Sequence, residues 1–281
     1  MVNLRSLDPL IELAFAEDIG IGDITTEATV PPSQKTIGTL QAKSDGVVAG
    51  LPIAERTFKK LDSGLTFRAL VSDGDAITAG TPIAKIQGSA KTILIGERTA
   101  LNFLQRLSGV ATLTSQFVKA VAGYDVKIVD TRKTTPGWRA LEKYAVRVGG
   151  GHNHRFGLYD GVLIKDNHIV ASGGIRNAVQ RARLAAPHTA KIEVEVETIE
   201  QVNEALEAGA DILLLDNMST EMMQQVVQQV GNRAVTEASG GITLEHVRAV
   251  AATGVELISV GALTHSAMPM DISLSLTLVD E

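Results

Sequence analysis

The chain has 281 residues, 44% of them hydrophobic, with 26 Lys and Arg against 32 Asp and Glu and a formal net charge of −6. That length can bury one large core or two modest ones, and the acidic balance argues against nucleic acid or an anionic membrane as the main partner. There is no cysteine, which excludes disulfides and thiolate metal sites.

The start, MVNLRSLDPLIELAFAEDIG, carries Asp8, Glu12 and Glu17 inside its apolar pattern, so it reads as an amphipathic helix and not as a signal peptide. Leu7, Leu10, Ile11, Ala14 and Phe15 fall at helical spacing, and Gly20 and Gly22 stop the helix. No uninterrupted apolar run approaches membrane-spanning length, so a soluble cytoplasmic protein is expected.

From Thr36 to Gln87 the runs TIGTLQAKS, GVVAG, LTFRALV and PIAKIQG read as strands separated by Gly, Asp and Pro, with a helix over Pro52 to Lys60. DGDAITAGTPIAKIQG is similar to the half-barrels that carry biotin or lipoate. No lysine sits at a tight hairpin tip, so a carrier role is rejected in favour of a small α+β domain. Glu97 to Ala122 is helical in pattern, with a break or bend expected at Ser108-Gly109. Arg98 and Arg106 on it read as solvated helix arginines.

The chain then alternates. VKIVD, GVLIK, IEVEVE, DILLLD, VTEAS and ELISVG are short, apolar, often β-branched runs; WRALEKYAV, IRNAVQRARLAA, IEQVNEALEAG and LEHVRAVAATG lie between them as amphipathic helices. This predicts a parallel α/β layer, as an open sheet or a barrel. The first five runs end on or beside polar groups: Asp130 with Arg132 and Lys133, Lys165, Glu195 with Glu197, Asp216 with Asn217, and Glu237 with Ser239. Chemistry spread over consecutive strand ends favours the barrel, because only there do all carboxyl ends converge on one mouth. The tail MDISLSLTLVDE alternates as a half-buried strand and is expected to return to the first sheet. The expected domains are therefore 1–108 joined by strand 268–281, and 109–267 as the barrel.

Between Asp130 and His168 the chain concentrates Arg132, Lys133, Arg139, Lys143, Arg147, His152, His154, Arg155, Lys165 and His168 against few carboxylates. Such a surplus in an acidic protein suits a pocket for a highly anionic small molecule. Ser239-Gly240-Gly241 and Gly261-Ala262 follow the last two strands, where glycine-exposed N–H groups bind phosphate in many barrels. Glu195 and Asp216 end neighbouring strands and can hold Mg²⁺, directly or through water, or ribose hydroxyls. His152 and His168 read as structural.

DTRKTTPG, GGGHNHR, LIKDNH, EVEVE, LLLDN, EASGGI and VGALTHS, in this order and spacing, closely resemble the quinolinate phosphoribosyltransferases over nearly the whole chain. The resemblance implies a type II phosphoribosyltransferase fold, with an amino-terminal α+β open-faced sandwich and an incomplete α/β barrel of about six strands. It implies transfer of the phosphoribosyl group of 5-phosphoribosyl 1-diphosphate to quinolinate with decarboxylation, using Mg²⁺. It assigns Glu195 and Asp216 to the diphosphate substrate; Lys133 and the loop residues Ser239, Gly240, Gly241, Gly261 and Ala262 are read to the same substrate, and Arg132, His154, Arg155 and Lys165 suit the carboxylates of quinolinate. Lys133, Lys165, Glu195 and Asp216 become the catalytic set. It also implies a homodimer, or a hexamer built from such dimers, in which Arg98 reaches into the neighbouring subunit's site. A nicotinate-specific relative, a molybdenum-operon relative, a sugar-phosphate lyase or synthase and a non-catalytic binding module are the competing readings.

Overall fold

The computed structural model describes residues 7–278. Its elements, in chain order, are α1 (Asp8–Asp18), α2 (Ile24–Thr29), β1 (Lys35–Ala42), β2 (Gly46–Val47), α3 (Leu51–Leu61), β3 (Thr66–Ala69), β4 (Ala76–Ile77), β5 (Pro82–Ser89), α4 (Ala90–Ala120), β6 (Lys127–Val129), α5 (Arg139–Val148), β7 (Val162–Ile164), α6 (Asp166–Ser172), α7 (Ile175–Ala185), β8 (Ile192–Val196), α8 (Ile199–Ala208), β9 (Ile212–Asp216), α9 (Thr220–Val230), β10 (Val235–Ser239), α10 (Val247–Ala251), β11 (Leu257–Ser259), α11 (Ala262–His265) and β12 (Ile272–Leu278). They fall into two units, one of residues 7–115, 135–150 and 266–278, the other of 116–134 and 151–265.

The first unit holds a four-stranded sheet in the order β12-β1-β5-β3, antiparallel throughout. Strand β1 buries every second residue, Thr36, Gly38, Leu40 and Ala42, which is the period a sheet with one covered face requires. The cover is close. A Cβ on Gly38 would lie 3.3 Å from Ile93 of α4, and one on Gly96 would lie 2.9 Å from Leu61 of α3. Phe58, Ile83, Ile86, Ile93, Leu101 and Leu104 form the centre of that core. Each such side chain contributes roughly 1.5–3 kcal/mol by leaving water. Asp73, distant in sequence, accepts from the N–H groups of Gly50 and Leu51 and so caps the start of α3.

Two expectations for this unit are corrected. Helix α4 runs unbroken for 31 residues through Ser108-Gly109. The serine is buried and accepts from the Ala49 N–H at 3.0 Å, while a Cβ on Gly109 would sit 2.0 Å from the Met268 carbonyl oxygen. The pair serves close packing, not a bend. Helix α5 also belongs here, although its place in the alternation put it in the barrel. Trp138 at its cap stacks on Phe103 with ring centroids 4.8 Å apart, Glu142 pairs with Arg106 at 3.0 Å, and the Tyr144 hydroxyl donates to Asp73 at 2.5 Å.

The second unit is a six-stranded, all-parallel sheet in the order β6-β11-β10-β9-β8-β7. Its six strands are the six runs read from sequence. The first strand in the chain pairs with the last, and β6 and β7 do not pair. A single bridge between Val129 and His152 lies along β6 instead. The sheet therefore curls on itself without closing, an incomplete barrel. Helix starts are capped locally: Thr198 accepts from the Gln201 N–H, and Ser219 from that of Met222. No helix among the described residues is long and apolar enough to cross a membrane.

Candidate active site

The carboxyl ends of the barrel strands surround a cavity of about 550 Å³. The segment after β6 contributes Arg132 and Lys133, and the strand-like segment after it contributes His154 and Arg155. Lys165 follows β7, Glu195 is the penultimate residue of β8, Asp216 ends β9, Ser239 ends β10, and Gly240 and Gly241 follow it. Five cationic or ionisable basic groups and three carboxylates, Glu237 included, thus converge in the second unit. A slightly larger cavity, about 610 Å³, lies at the amino ends. Its two carboxylates are already used: Asp211 pairs with Arg183, and Glu256 accepts from the Thr236 N–H.

Each group is held by its element. Lys165 pairs with Glu195, and its backbone N–H donates to His168 Nδ1 at 3.0 Å, so His168, read from sequence as structural, caps the start of α6. Lys133 is fixed through its carbonyl, which accepts from Thr264 at 2.7 Å. Arg155 donates to the Gly161 carbonyl at 3.0 Å. Burial and the neighbouring Arg132 lower its pKa from the usual arginine value, while Glu193 and Asp160 act the other way. Asp130 is wholly buried and accepts from Asn153 and from the His154 N–H, so this strand-end acid is a clamp for the loop.

Beneath the cations lies a cluster that the sequence reading missed. His154 Nε2 is 3.0 Å from Glu193 and 3.6 Å from Glu237, both buried. The alternation in IEVEVE was the available signal, since a period of two puts Glu193 and Glu195 on one face. The three donor groups lie within 4.8 Å of one another, a spacing that can hold a metal. His154 Nδ1, however, accepts from the Arg155 N–H at 2.7 Å. A metal on Nε2 would require the proton on Nδ1, facing another donor. The cluster is hydrogen-bonded, with the Nε2 proton directed at Glu193. Both ring nitrogens of His154 therefore have partners within the protein. His154 lines the cavity as well, beside Arg155.

Burial, and after it the charge of Glu193, push the Glu237 carboxyl up to about 7. A carboxyl raised above its ordinary 4.5 contributes stability that is present below pH 4.5 and lost as the pH rises through 7. Glu237→Gln should remove that loss. Its melting temperature should change little from pH 5 to pH 8 while that of wild type falls, a difference of about 1–3 kcal/mol at pH 8. Parallel melting curves for the two proteins would show that Glu237 is ionised throughout.

Glu195 and Asp216 offer carboxylate oxygens of the kind magnesium takes alongside substrate phosphates. Gly261 and Ala262 do not line the cavity. Gly261 instead lets Lys133 pass, since a Cβ there would be 3.0 Å from the lysine Cδ. Arg98 is exposed on α4 in the first unit. His152 is exposed and contributes its backbone to the bridge along β6.

The sequence matches the family model for the quinolinate phosphoribosyl transferase amino-terminal domain over residues 23–108 and that for the carboxy-terminal domain over residues 110–275. The chain belongs to the quinolinate phosphoribosyltransferase family. A probable nicotinate-nucleotide pyrophosphorylase (carboxylating) of Bacillus subtilis is 48% identical over 280 residues, covering 100% of this chain and 96% of that one. The mitochondrial quinolinate phosphoribosyltransferase (decarboxylating) 2 of Nicotiana glauca is 43% identical over 96% of this chain and 82% of its own. The crystal structure of NadC from Streptococcus pyogenes superposes with a TM-score of 0.96 at 41% identity, covering 100% of this chain and 99% of that one. In this family member the cavity at the strand ends is the place to look for the reaction.

Proposed function

We propose that this chain is a quinolinate phosphoribosyltransferase, a pentosyltransferase that converts quinolinate and 5-phosphoribosyl 1-diphosphate to nicotinate mononucleotide, CO₂ and diphosphate, a step of NAD biosynthesis. The observation that carries the reading is the convergence of Arg132, Lys133, Arg155 and Lys165 with Glu195 and Asp216 in one cavity beside the Gly240-Gly241 loop.

Two anionic substrates must be held together, and the residues divide between them. The guanidinium forks of Arg132 and Arg155 suit the planar carboxylates of a pyridine dicarboxylate. Lys133 serves as a point charge for diphosphate oxygens; Lys165 serves as one for a quinolinate carboxylate and also takes up charge developing on the leaving diphosphate. The N–H groups of Gly240 and Gly241, both at positive φ, suit the 5-phosphate. Glu195 and Asp216 take ribose hydroxyls or magnesium, which when bound would supply counter-charge to the departing diphosphate.

The pyridine nitrogen forms a bond to the anomeric carbon as that carbon's bond to the diphosphate oxygen breaks. The ring becomes cationic. The bond from ring C2 to its carboxylate then breaks, CO₂ leaves, the electron pair stays on C2 beside the positive nitrogen, and C2 takes up a proton. Positioning and charge supply the acceleration, and no protein base is obligatory. With no cysteine to oxidise, the chain suits the cytoplasm. A homodimer sharing its sites would bring Arg98 to the partner's cavity.

The test is release of labelled CO₂ from quinolinate carrying ¹⁴C in its 2-carboxylate. Release should require phosphoribosyl diphosphate and match nicotinate mononucleotide formed one to one. Turnover of nicotinate with no CO₂ from quinolinate would replace this reading with the nicotinate-specific one.

A further inference from the structure

Among the described residues other than glycine, only Asn217 has a positive φ, +54°. Side chains adopt that backbone infrequently, asparagine more readily than most. Asn217 directly follows Asp216 at the carboxyl end of β9. In a continuing strand its side chain would point to the opposite face from that of Asp216. The left-handed turn brings it back. Its amide nitrogen donates to Asp216 Oδ2 at 2.9 Å, and its backbone N–H donates to the Ser239 carbonyl of β10 at 3.0 Å. Its Oδ1 lies against Gly240, where a Cβ would be only 2.2 Å away. A residue that merely ended the strand would need the backbone contact alone.

We infer that Asn217 is a positioning residue: its amide fixes the rotamer of Asp216, and its side-chain oxygen walls the Gly240-Gly241 loop. The two halves of the phosphoribosyl diphosphate subsite are thereby joined into one unit. One amide donor occupies Oδ2 and leaves Oδ1 of Asp216 for the ligand. The close approach also explains why position 240 holds glycine beyond its φ of +91°. The inference rests on the assignment of Asp216 to that subsite, so the test separates the two.

Binding of phosphoribosyl diphosphate with Mn²⁺ is measured by titration calorimetry, without quinolinate and therefore without turnover. Asn217→Gly keeps the left-handed backbone and removes only the amide. It should weaken binding about tenfold, the size expected when a support of a ligand group is lost. Its melting temperature should stay within about 2 °C of wild type. KM for quinolinate should be unchanged. Asp216→Asn should weaken binding at least as much, and in the double variant the Asn217 change should cost less than it does alone, because part of its effect passes through the Asp216 carboxylate. If Asp216→Asn binds as wild type does, the assignment of Asp216 falls. If Asp216→Asn weakens binding while Asn217→Gly does not, Asn217 is only a turn residue; if the two effects add in full, its amide does not act through Asp216; either result overturns the inference.

Discussion

Lys165→Ala is expected to lose about thirty-fold to a thousand-fold in kcat/KM, the equivalent of roughly 2–4 kcal/mol of transition-state stabilisation. Lys165 follows β7 and pairs with Glu195 at the mouth of the barrel. Removing it takes one cation from the diphosphate and leaves Glu195, mostly buried, without its counter-charge. Both effects fall where negative charge develops as the diphosphate leaves. Lys191 is the control. It precedes β8, is exposed, and lines the cavity at the amino ends. Lys191→Ala should turn over at close to the wild-type rate. Equal losses in the two variants would mean that the carboxyl-end cavity is not where the reaction occurs. The melting temperature of Lys165→Ala should fall little, since the lysine is nearly half exposed and such a pair adds little to folding.

The six barrel strands were legible because each is a short β-branched run ending on a polar residue, and the two patterns agree only in a parallel layer. The convergence of Lys165, Glu195 and Asp216 followed from those ends. Helix α5 was legible as a helix but not in its placement. WRALEKYAV announces an apolar face without saying what covers it, and here Phe103, Arg106 and Asp73 of the first unit meet it. Ser108-Gly109 shows the same limit, because a glycine that breaks a helix and one that lets a carbonyl approach to 2.0 Å from its absent Cβ look alike in a string of letters. Asn217 was seen only as a polar strand end, since φ is a property of the folded backbone. His154 was legible as a site residue; that its ring is held by Glu193 and by the Arg155 N–H needed coordinates. Arg98, exposed on α4, has no role that one chain can display, and the resemblance alone proposes one.

That role has a decisive test. If Arg98 of one subunit completes the partner's site across a two-fold axis, each subunit of a dimer lends an arginine and receives one. Arg98→Ala homodimers should be inactive because both sites lack the lent arginine, and Lys165→Ala homodimers because both lack the lysine. The two variants are then unfolded and refolded together. A mixed dimer has one site with both defects. Its other site takes Lys165 from the Arg98 variant and Arg98 from the Lys165 variant, and is whole. Random pairing makes about half of the dimers mixed, each with one good site of two, so activity should return to about a quarter of wild type. If Arg98 serves its own subunit, every site in the mixture carries one defect and nothing returns. A mixture that stays inactive while native mass spectrometry shows mixed dimers would therefore exclude the shared site, because recovery needs only that Arg98 and Lys165 meet from different chains.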